Sequence, residues 1–361
     1  MPGTPPTTVE IPRTSLAEVQ RGDVLAQSIY HDGRTLFAPG RVLTDNDIQE
    51  LKRLKVEAVA IRERDAKPVG DKVQTDPLNK EMRAQAINTV RRVYEDFHNL
   101  DRQHGREIHS LGLRLCDEVK QATRLGVAVH DLRDHSNYTY QHSVNVTAIS
   151  LAIGIRLGLT REELNLLTVG GLLHDIGKMK IPPQILEKNG KLSNQELMIV
   201  RKHPVWGWEL LKECTDFDPV VWAIARQHHE TMDGRGYPDK LMGWQIHALS
   251  KIVTVVDMWD ALRSERPYKP AWHPDQTLAF INSPQMTGKL DPQVLEIFNQ
   301  LIVPYPIGSR VMVTGGRTGR VVGLNFGSYS RPILRLDAGG SFMDLTDHKG
   351  LEVIETLELA A

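Results

Sequence analysis

The sequence is poor in cysteine. Its 361 residues include two cysteines, Cys116 and Cys214, which lie far apart and form no CxxC pair. This excludes a disulfide framework and is typical of a reducing compartment. The first residues, MPGTPPTTVEIPRT, lack the apolar stretch of a signal peptide. We therefore expect a cytoplasmic protein.

Long apolar runs and an excess of one charge are also missing. The most apolar stretch, residues 144–159, contains Asn145 and Arg156 and is too short for a membrane span. Lys and Arg total 44 against 45 Asp and Glu, so the formal net charge is -1 and no basic field favours nucleic acid. We expect neither a membrane span nor a nucleic-acid partner. Hydrophobic residues make up 40% of the chain, which is enough for a sizeable core.

Changes of pattern divide the chain into segments with different predicted structures. These are a small α/β unit at 1–66, a polar linker with long helices at 67–129, a helical domain at 130–303 and a small β module at 304–361. In the first segment, Thr44 is the expected N-cap of a helix between predicted strands. In the last, the GGRTG stretch at 315–319 lacks the Lys-Ser/Thr of a phosphate loop and predicts a β-turn.

Local signals mark several helices. Thr160 with Glu163 and Ser193 with Glu196 are capping boxes, each of which predicts a helix start. Residues 78–126 are charged and contain few helix breakers. They favour a homodimer through long helices, with helices folded back onto their own domain as the alternative.

Potential metal ligands lie on helices that are otherwise apolar. Five of the 14 histidines and two aspartates occupy positions where a buried charge or an unpaired imidazole would be costly: His142, His174, Asp175, His203, His228, His229 and Asp257. A shared metal site would remove that cost. Any one of them alone could be a satisfied core residue, but the adjacent His-Asp and His-His pairs favour a metal site for the set. Imidazoles suit Fe, Mn, Zn, Ni or Co, and carboxylates favour the harder metals.

The number of potential ligands exceeds what one tetrahedral metal needs. We therefore expect two metals about 3.5–4 Å apart, with Asp175 as the bridging carboxylate. Metals at that spacing suit in-line attack of water or hydroxide on a phosphodiester.

Five ordered blocks resemble the HD-GYP domain, the cyclic di-GMP phosphodiesterase branch of the bacterial HD superfamily. They are YTYQHSVNV, LLHDIGKMKIP, KLSNQELMIVRKHPVWGWELL, QHHETMDGRGYP and VVDMWDALRSERPYK, and they cover about residues 130–303. The expected fold is therefore mainly α, an all-helical HD-type catalytic domain with the flanking α/β unit, helical linker and β module. The resemblance implies hydrolysis of cyclic di-GMP to pGpG, or further to GMP, by a metal-bound water or hydroxide. It also implies GGDEF-domain partners that bind the Gly-Tyr-Pro loop.

The resemblance also implies roles for individual residues. The first metal would be held by His142, His174, Asp175 and Asp257, and the second by Asp175, His203, His228 and His229. Both ions are divalent, with iron favoured over Mn, Ni, Co or Zn. Asp175 and Lys178 would be catalytic, the lysine stabilising charge or donating a proton. Substrate contacts would come from Lys178, Arg266, Lys269, Gly234, Arg235, Gly236, Tyr237 and Tyr138.

Two of these positions leave alternatives open. Tyr138 stands where trinuclear relatives carry a carboxylate, one turn before His142, so we expect two metals rather than three and a reaction that stops at pGpG. Its phenol would donate a hydrogen bond to a metal-bound water or to phosphate, or it merely packs the helix end. Glu230 either orients a ligand histidine or is exposed to solvent.

Two other functions compete with the phosphodiesterase. One is a non-catalytic adaptor that binds GGDEF-type cyclases, against which the complete ligand set argues. The other is a different HD-superfamily nucleotide phosphohydrolase, against which the Gly-Tyr-Pro loop and the RPYK block argue.

Overall fold

A computed structural model describes most of the chain. The described residues are 13–23, 25, 29–31, 34–37, 41–61, 76–122, 138–188, 190–214, 217–263, 272–325 and 328–358. The chain divides into two compact units, one spanning Gln74–Pro304 and the other made of Met1–Val73 and Tyr305–Ala361. The four-segment division drawn from the sequence remains a prediction.

In its described residues, the unit made from the two ends of the chain contains short strands and one α-helix. Its elements are β1 (Arg13–Ser15), β2 (Ile29–His31), β3 (Arg34–Phe37), α1 (Asp45–Arg53), β4 (Ala58–Ala60), β5 (Arg310–Val313), β6 (Arg317–Gly323), β7 (Ile333–Leu336), β8 (Phe342–Asp344) and β9 (Val353–Glu358). β1 pairs with β4 and β2 with β3, while the other strands form an antiparallel sheet in the order β8-β7-β6-β5-β9. Thr44 caps α1 as predicted, because its hydroxyl accepts the N–H of Asp47.

Gly315 and Gly316 of the GGRTG stretch lie in the turn between β5 and β6, and the remaining residues, 317–319, begin β6. Gly315 and Gly316 have φ angles of +91° and +76°, a region that side chains make unfavourable. The N–H of Gly316 donates to the carbonyl of Val313 at 3.0 Å. The prediction of a β-turn is confirmed.

The other unit is helical. Its helices are α2 (Lys80–Glu95), α3 (Arg102–Ala122), α4 (Tyr138–Arg156), α5 (Arg161–Leu173), α6 (Pro183–Leu186), α7 (Asn194–Val200), α8 (His203–Glu213), α9 (Pro219–Gln227), α10 (Ala248–Arg263), α11 (Pro274–Ile281) and α12 (Pro292–Leu301). Both predicted capping boxes are present, at the starts of α5 and α7. The mainly α fold is confirmed. Among the described residues, no helix combines the length and the apolar character that crossing a bilayer requires.

The long helices α2 and α3 pack within their own chain. Tyr94 of α2 and Leu111 of α3 are fully buried, in the same core as Leu151 of α4 and Leu167 of α5. This is the arrangement that the fold-back alternative describes. The apolar faces of both helices are therefore already used inside the unit.

Candidate metal centre

Helix ends bring the potential ligands together. His174 caps the C-terminus of α5 and Asp175 follows it directly, His203 begins α8, and His228 caps the C-terminus of α9. His142 lies in the second turn of α4 and Asp257 near the middle of α10. All of the predicted ligands lie in one cluster, and each except His229 is buried.

One group of ligand atoms surrounds the Oδ2 atom of Asp175. His142 Nε2 lies 3.5 Å from that oxygen and His174 Nε2 lies 3.4 Å from it. Asp257 Oδ1 is 3.0 Å from His142 Nε2 and 4.0 Å from His174 Nε2. The donors of His142, His174 and Asp175 all lie within 4.8 Å of one another, which makes them a candidate metal-binding group.

A second group faces the other oxygen of the same carboxylate. Asp175 Oδ1 lies 3.3 Å from His203 Nε2 and 3.8 Å from His228 Nε2. Donors of His203, His228 and His229 again lie within 4.8 Å of one another. Each oxygen of Asp175 therefore faces a different set of histidines, which is the geometry that a bridging ligand requires.

Asp257 also extends between the two groups. Its Oδ2 atom lies 3.4 Å from His229 Nδ1, while its Oδ1 atom faces His142. The family resemblance assigned this carboxylate to the first group alone. In the structure it contacts imidazoles of both.

Backbone carbonyls fix the tautomers of three of the histidines. The Nδ1 atoms of His174, His203 and His228 lie 2.7, 2.8 and 2.9 Å from the carbonyl oxygens of Gly171, Val200 and Ala225, respectively. A carbonyl only accepts, so each Nδ1 carries the proton and each Nε2 keeps a free lone pair. A metal ligand needs that lone pair, and a hydrogen bond from the opposite nitrogen orients the ring.

The charge states also suit cation binding. Burial lowers the pKa of His203 to about 3, although Asp175 opposes the shift. Burial likewise lowers the pKa of His229 to about 4, against the opposing charge of Asp257. Burial would raise the pKa of Asp175, but the Lys178 ammonium and the nearby His174 hold it well below its ordinary value. Neutral imidazoles and ionised carboxylates are the forms that bind metals.

One nitrogen of the cluster has a lone pair that is available to a metal and is not used in a hydrogen bond. His174 Nε2 is buried and makes no hydrogen bond to any described residue. Leaving such an atom unpaired is costly, and coordination would remove the cost. Together with the mixed imidazole and carboxylate donors, this shows that the residues fit divalent metal ions.

His142 is held differently from the other histidines. Its Nδ1 atom lies 2.6 Å from Asp260 Oδ2, and both side chains are buried. Burial lowers the pKa of His142, but the electrostatic influence of Tyr138 and the hydrogen bonds with Asp257 and Asp260 outweigh it and raise the pKa well above its ordinary value. A metal that binds here must therefore displace a proton.

Asp260 is a site residue that the sequence interpretation missed. It lies three residues after Asp257 on α10, so the two carboxylates share one face of a helix that is otherwise largely apolar. A second carboxylate at that spacing was the signal that could have found it.

The predicted catalytic and neighbouring residues lie beside the cluster. Lys178 Nζ pairs with Asp175 Oδ2 from the next turn of the chain. The ring of Tyr138 stacks on that of His142, with centroids 5.8 Å apart and planes 20° from parallel. Tyr138 therefore faces the site, as its position one turn before His142 predicts. Arg266 and Lys269 lie outside the described residues.

The loop of residues 233–238, here called the GYP loop, closes one side of the cluster. The ring of Tyr237 stacks on His229 with centroids 4.7 Å apart. A Cβ on Gly236 would lie 2.5 Å from the Cα of Glu230, so only glycine permits this approach. Gly234 has a φ angle of +70°, as expected for a sharp turn, and Arg235 is largely exposed.

Glu230 requires a correction. Its side chain is 1% exposed, which excludes the solvent-exposed alternative. Its carboxylate accepts the backbone N–H groups of Asp239, Lys240 and Leu241 at 2.6, 3.0 and 3.0 Å. Among the described residues, these three amides donate to the Glu230 carboxylate and no histidine does. Glu230 therefore anchors the backbone that follows the GYP loop, because three converging amides offer a carboxylate strong hydrogen bonds.

Comparison with known families identifies the domain that contains this cluster. Residues 127–294 match the family described as "HD domain". This segment is an HD domain. The chain is 38% identical over 191 residues to "Cyclic di-GMP phosphodiesterase PA4108" of Pseudomonas aeruginosa, a match that covers 53% of this chain and 46% of that protein. The resemblance drawn from the five sequence blocks is confirmed.

Two further relatives carry related names. The chain is 43% identical over 143 residues to "Cyclic di-GMP phosphodiesterase response regulator RpfG" of Xanthomonas campestris, covering 39% of this chain and 37% of that protein. It is 33% identical over 181 residues to "3'3'-cGAMP-specific phosphodiesterase 1" of Vibrio cholerae, covering 50% of this chain and 41% of that protein. The chain thus spans less than half the length of each of these three relatives.

Proposed function

We propose that this protein is a metal-dependent phosphodiesterase that hydrolyses cyclic di-GMP to linear pGpG. The observation that carries the proposal is the arrangement around Asp175, whose two oxygens face separate groups of histidines. Two relatives named as cyclic di-GMP phosphodiesterases support the choice of substrate. When bound, divalent ions would supply Lewis acidity at the phosphodiester and an activated water.

The residues of the cluster take the following roles in this proposal. The first metal would be held by His142, His174, Asp175 and Asp257, and the second by Asp175, His203, His228 and His229. Tautomers fixed by backbone carbonyls keep the Nε2 lone pairs of three of these imidazoles directed into the cluster. Asp257 also reaches the second group, which makes it a further bridging candidate.

Lys178 supplies positive charge at the reacting phosphate. Burial opposes its charged form, but Asp175 outweighs burial and raises its pKa, so the ammonium remains protonated at neutral pH. A cation in a site that excludes water stabilises charge that develops on phosphate oxygens. Tyr138, stacked on His142, offers a phenol to the same region, and its place in the chain favours two metals and a stop at pGpG.

Other parts of the proposal concern the substrate contacts and the cellular context. Gly234, Gly236, Arg235 and Tyr237 of the GYP loop form one wall of the substrate site, and the loop offers a surface to GGDEF-domain proteins. Iron is the favoured metal and the protein is cytoplasmic. A homodimer through α2 and α3 would have to use their exposed faces, since their apolar faces are buried.

The decisive experiment is product chromatography on anaerobically purified protein, with the metal content measured on the same sample. Metal-loaded protein should convert cyclic di-GMP to pGpG, and both Asp175→Asn and metal depletion should abolish turnover. Asp117→Asn, which changes an exposed aspartate of α3, is the matched control and should leave turnover intact.

Each other outcome has a defined meaning. Turnover by metal-depleted protein or by Asp175→Asn would refute the mechanism. Hydrolysis of 3'3'-cGAMP but not of cyclic di-GMP would refute the choice of substrate. Binding of cyclic di-GMP by the metal-loaded protein without hydrolysis would favour the non-catalytic adaptor.

A further inference from the structure

A partly buried arginine of the linker helix α2, Arg83, contacts the helix that carries His142. The guanidinium of Arg83 pairs with Asp76, with Nη2 lying 2.6 Å from Oδ1 and Nε lying 2.9 Å from Oδ2. Its remaining terminal nitrogen, Nη1, donates to the side-chain oxygen of Asn145 on α4. The Arg83 side chain is 12% exposed, so these contacts are largely shielded from water. A shielded two-armed arrangement of this kind fixes the guanidinium in place.

Asn145 connects Arg83 to the cluster of predicted metal ligands. Its Nδ2 atom donates to Asp260 Oδ1 at 3.4 Å, and Asp260 Oδ2 in turn lies 2.6 Å from Nδ1 of His142. Arginine only donates and an ionised carboxylate only accepts, so the amide has one orientation that satisfies both neighbours. Arg83 therefore fixes the orientation of the Asn145 amide, the amide fixes the Asp260 carboxylate, and the carboxylate fixes the His142 ring.

A second contact joins the same two helices close to the same ligand. Tyr94 of α2 has its hydroxyl 3.1 Å from Ser143 Oγ, next to His142 in the chain, and donates to the carbonyl of Leu172 at 2.9 Å. Arg83 and Tyr94 are eleven residues apart, about three helical turns, so they lie on one face of α2. That face of α2 therefore makes hydrogen bonds to both α4 and the C-terminal end of α5.

We propose that Arg83 is a positioning residue of the metal centre, which sets the orientation of His142 through Asn145 and Asp260. This inference rests on the metal-binding part of the proposed function, and it does not depend on the substrate. Arg83 lies outside residues 127–294, which match the HD domain. The helix α2 therefore belongs functionally to the site, although it precedes the matched segment. A displacement of α2 would change the metal affinity of the His142 group.

The test is a double-mutant cycle read out as metal affinity. Metal-free protein is titrated with Mn²⁺ by calorimetry for the unaltered chain, Arg83→Met, Asp260→Asn and the double variant. Arg83→Met keeps the apolar stem and removes every donor. Removing an outer contact of this type costs about 10- to 100-fold in metal affinity. We expect each single variant to weaken one binding event about tenfold, and the double variant to be no weaker than the Asp260→Asn variant.

The controls separate positioning from folding. Arg92→Met changes an arginine on the same helix whose side chain is 64% exposed and which pairs with Glu107, and it should leave affinity unchanged. Urea unfolding of the metal-free variants shows whether Arg83→Met folds. If it does not, Arg83→Lys, which keeps the charge but loses the two-armed geometry, is titrated instead and should also bind more weakly.

Three results would overturn the proposal. They are unchanged Mn²⁺ affinity in the folded Arg83 variants, independent effects of Arg83→Met and Asp260→Asn that multiply, and an equal loss in Arg92→Met. A protein that binds Mn²⁺ as expected but does not hydrolyse cyclic di-GMP would refute the proposed substrate and leave this inference standing. A protein that binds no metal would refute both.

Discussion

The Nδ1 atom of His142 and the Oδ2 atom of Asp260 lie 2.6 Å apart in a buried contact between α4 and α10. The contact turns the opposite nitrogen, Nε2, toward the carboxylates of Asp175 and Asp257. An imidazole that donates to a carboxylate is both oriented and more basic, and it is a stronger metal ligand for both reasons.

Replacing Asp260 with asparagine should therefore weaken metal binding without removing a ligand. The amide oxygen still accepts a hydrogen bond but carries no charge, so we expect about tenfold lower affinity for one ion per chain. Elemental analysis after dialysis against a metal buffer measures the loss. Asp117→Asn should retain the full metal content, and equal content in both variants would contradict the assigned role of Asp260.

The close packing of Gly177 against α8 leads to a prediction about folding stability. A Cβ at position 177 would lie 2.0 Å from the carbonyl oxygen of His203 and 2.5 Å from the nitrogen of Gly207. Backbone atoms cannot rotate away, so Gly177→Ala should cost about 1–3 kcal/mol or more of unfolding free energy. Because the obstructing carbonyl belongs to His203, a predicted metal ligand, metal affinity should fall as well.

The facing glycine provides the matched control. A Cβ on Gly207 would meet nothing closer than 3.4 Å, which is ordinary contact distance. Gly207 lies inside α8, where alanine is favoured over glycine by about 0.5–1 kcal/mol. Urea unfolding of the two variants should show opposite changes, and similar destabilisation by both would contradict the packing argument.

The start of α7 should contribute a pH-dependent part of the stability. Glu196 accepts from Lys188 Nζ at 2.8 and 2.7 Å and from the N–H of Ser193 at 2.6 Å. The hydrogen bonds from Lys188 and then from Ser193 lower its pKa from 4.5 to about 2. The folded state therefore binds this proton more weakly than the unfolded chain does. The resulting stabilisation is complete above about pH 4.5 and is lost as the pH falls toward 2.

Glu196→Gln isolates that contribution, because glutamine still completes the capping box but carries no charge. The unaltered protein should be more stable than the variant at pH 7, and the difference should shrink as the pH falls from 5 to 3.5. Urea midpoints at each pH measure it. Glu187→Gln, at an exposed glutamate, should show no such trend, and a difference that is constant with pH would refute the prediction.

Local signals in the sequence account for what was predicted correctly. The starts of α1, α5 and α7 follow from N-cap residues whose partners lie three positions away. The predicted ligands come together because a buried imidazole or carboxylate on an apolar helix needs a partner. Residue type and spacing alone therefore predicted the helical domain and all seven members of the cluster.

Residues whose partners are remote in the chain were not predictable in this way. Asp260 contacts an imidazole 118 positions earlier, and Arg83 contacts an amide 62 positions later. Neither spacing leaves a periodic signal. Glu230 was misinterpreted for another reason: its partners are backbone N–H groups, which every residue except proline carries.

The carboxylate of Glu230 provides the last prediction. It holds the N–H groups of Asp239, Lys240 and Leu241, directly after the GYP loop whose Tyr237 stacks on His229. In Glu230→Gln, one oxygen becomes an amide NH₂ that faces a backbone donor instead of accepting from it. At least one hydrogen bond is lost and a buried N–H is left unsatisfied, which typically costs about 1–3 kcal/mol. Because the three N–H groups are adjacent in the chain, this cost should appear as local opening of residues 239–241.

Hydrogen exchange measures that opening without reference to catalysis. The amides of residues 239–241 should exchange about tenfold faster or more in Glu230→Gln, because 1.4 kcal/mol corresponds to a factor of ten, while metal content stays unchanged. If the protein acts on cyclic di-GMP as proposed, KM should rise more than kcat falls. Asp239→Asn is the control, because Asp239 lies in the same segment as the measured amides. This variant removes a partly exposed ion pair with Arg226, so it should accelerate exchange less than Glu230→Gln does. Unchanged exchange in Glu230→Gln, or a larger change in Asp239→Asn, would show that the loop is held by other contacts.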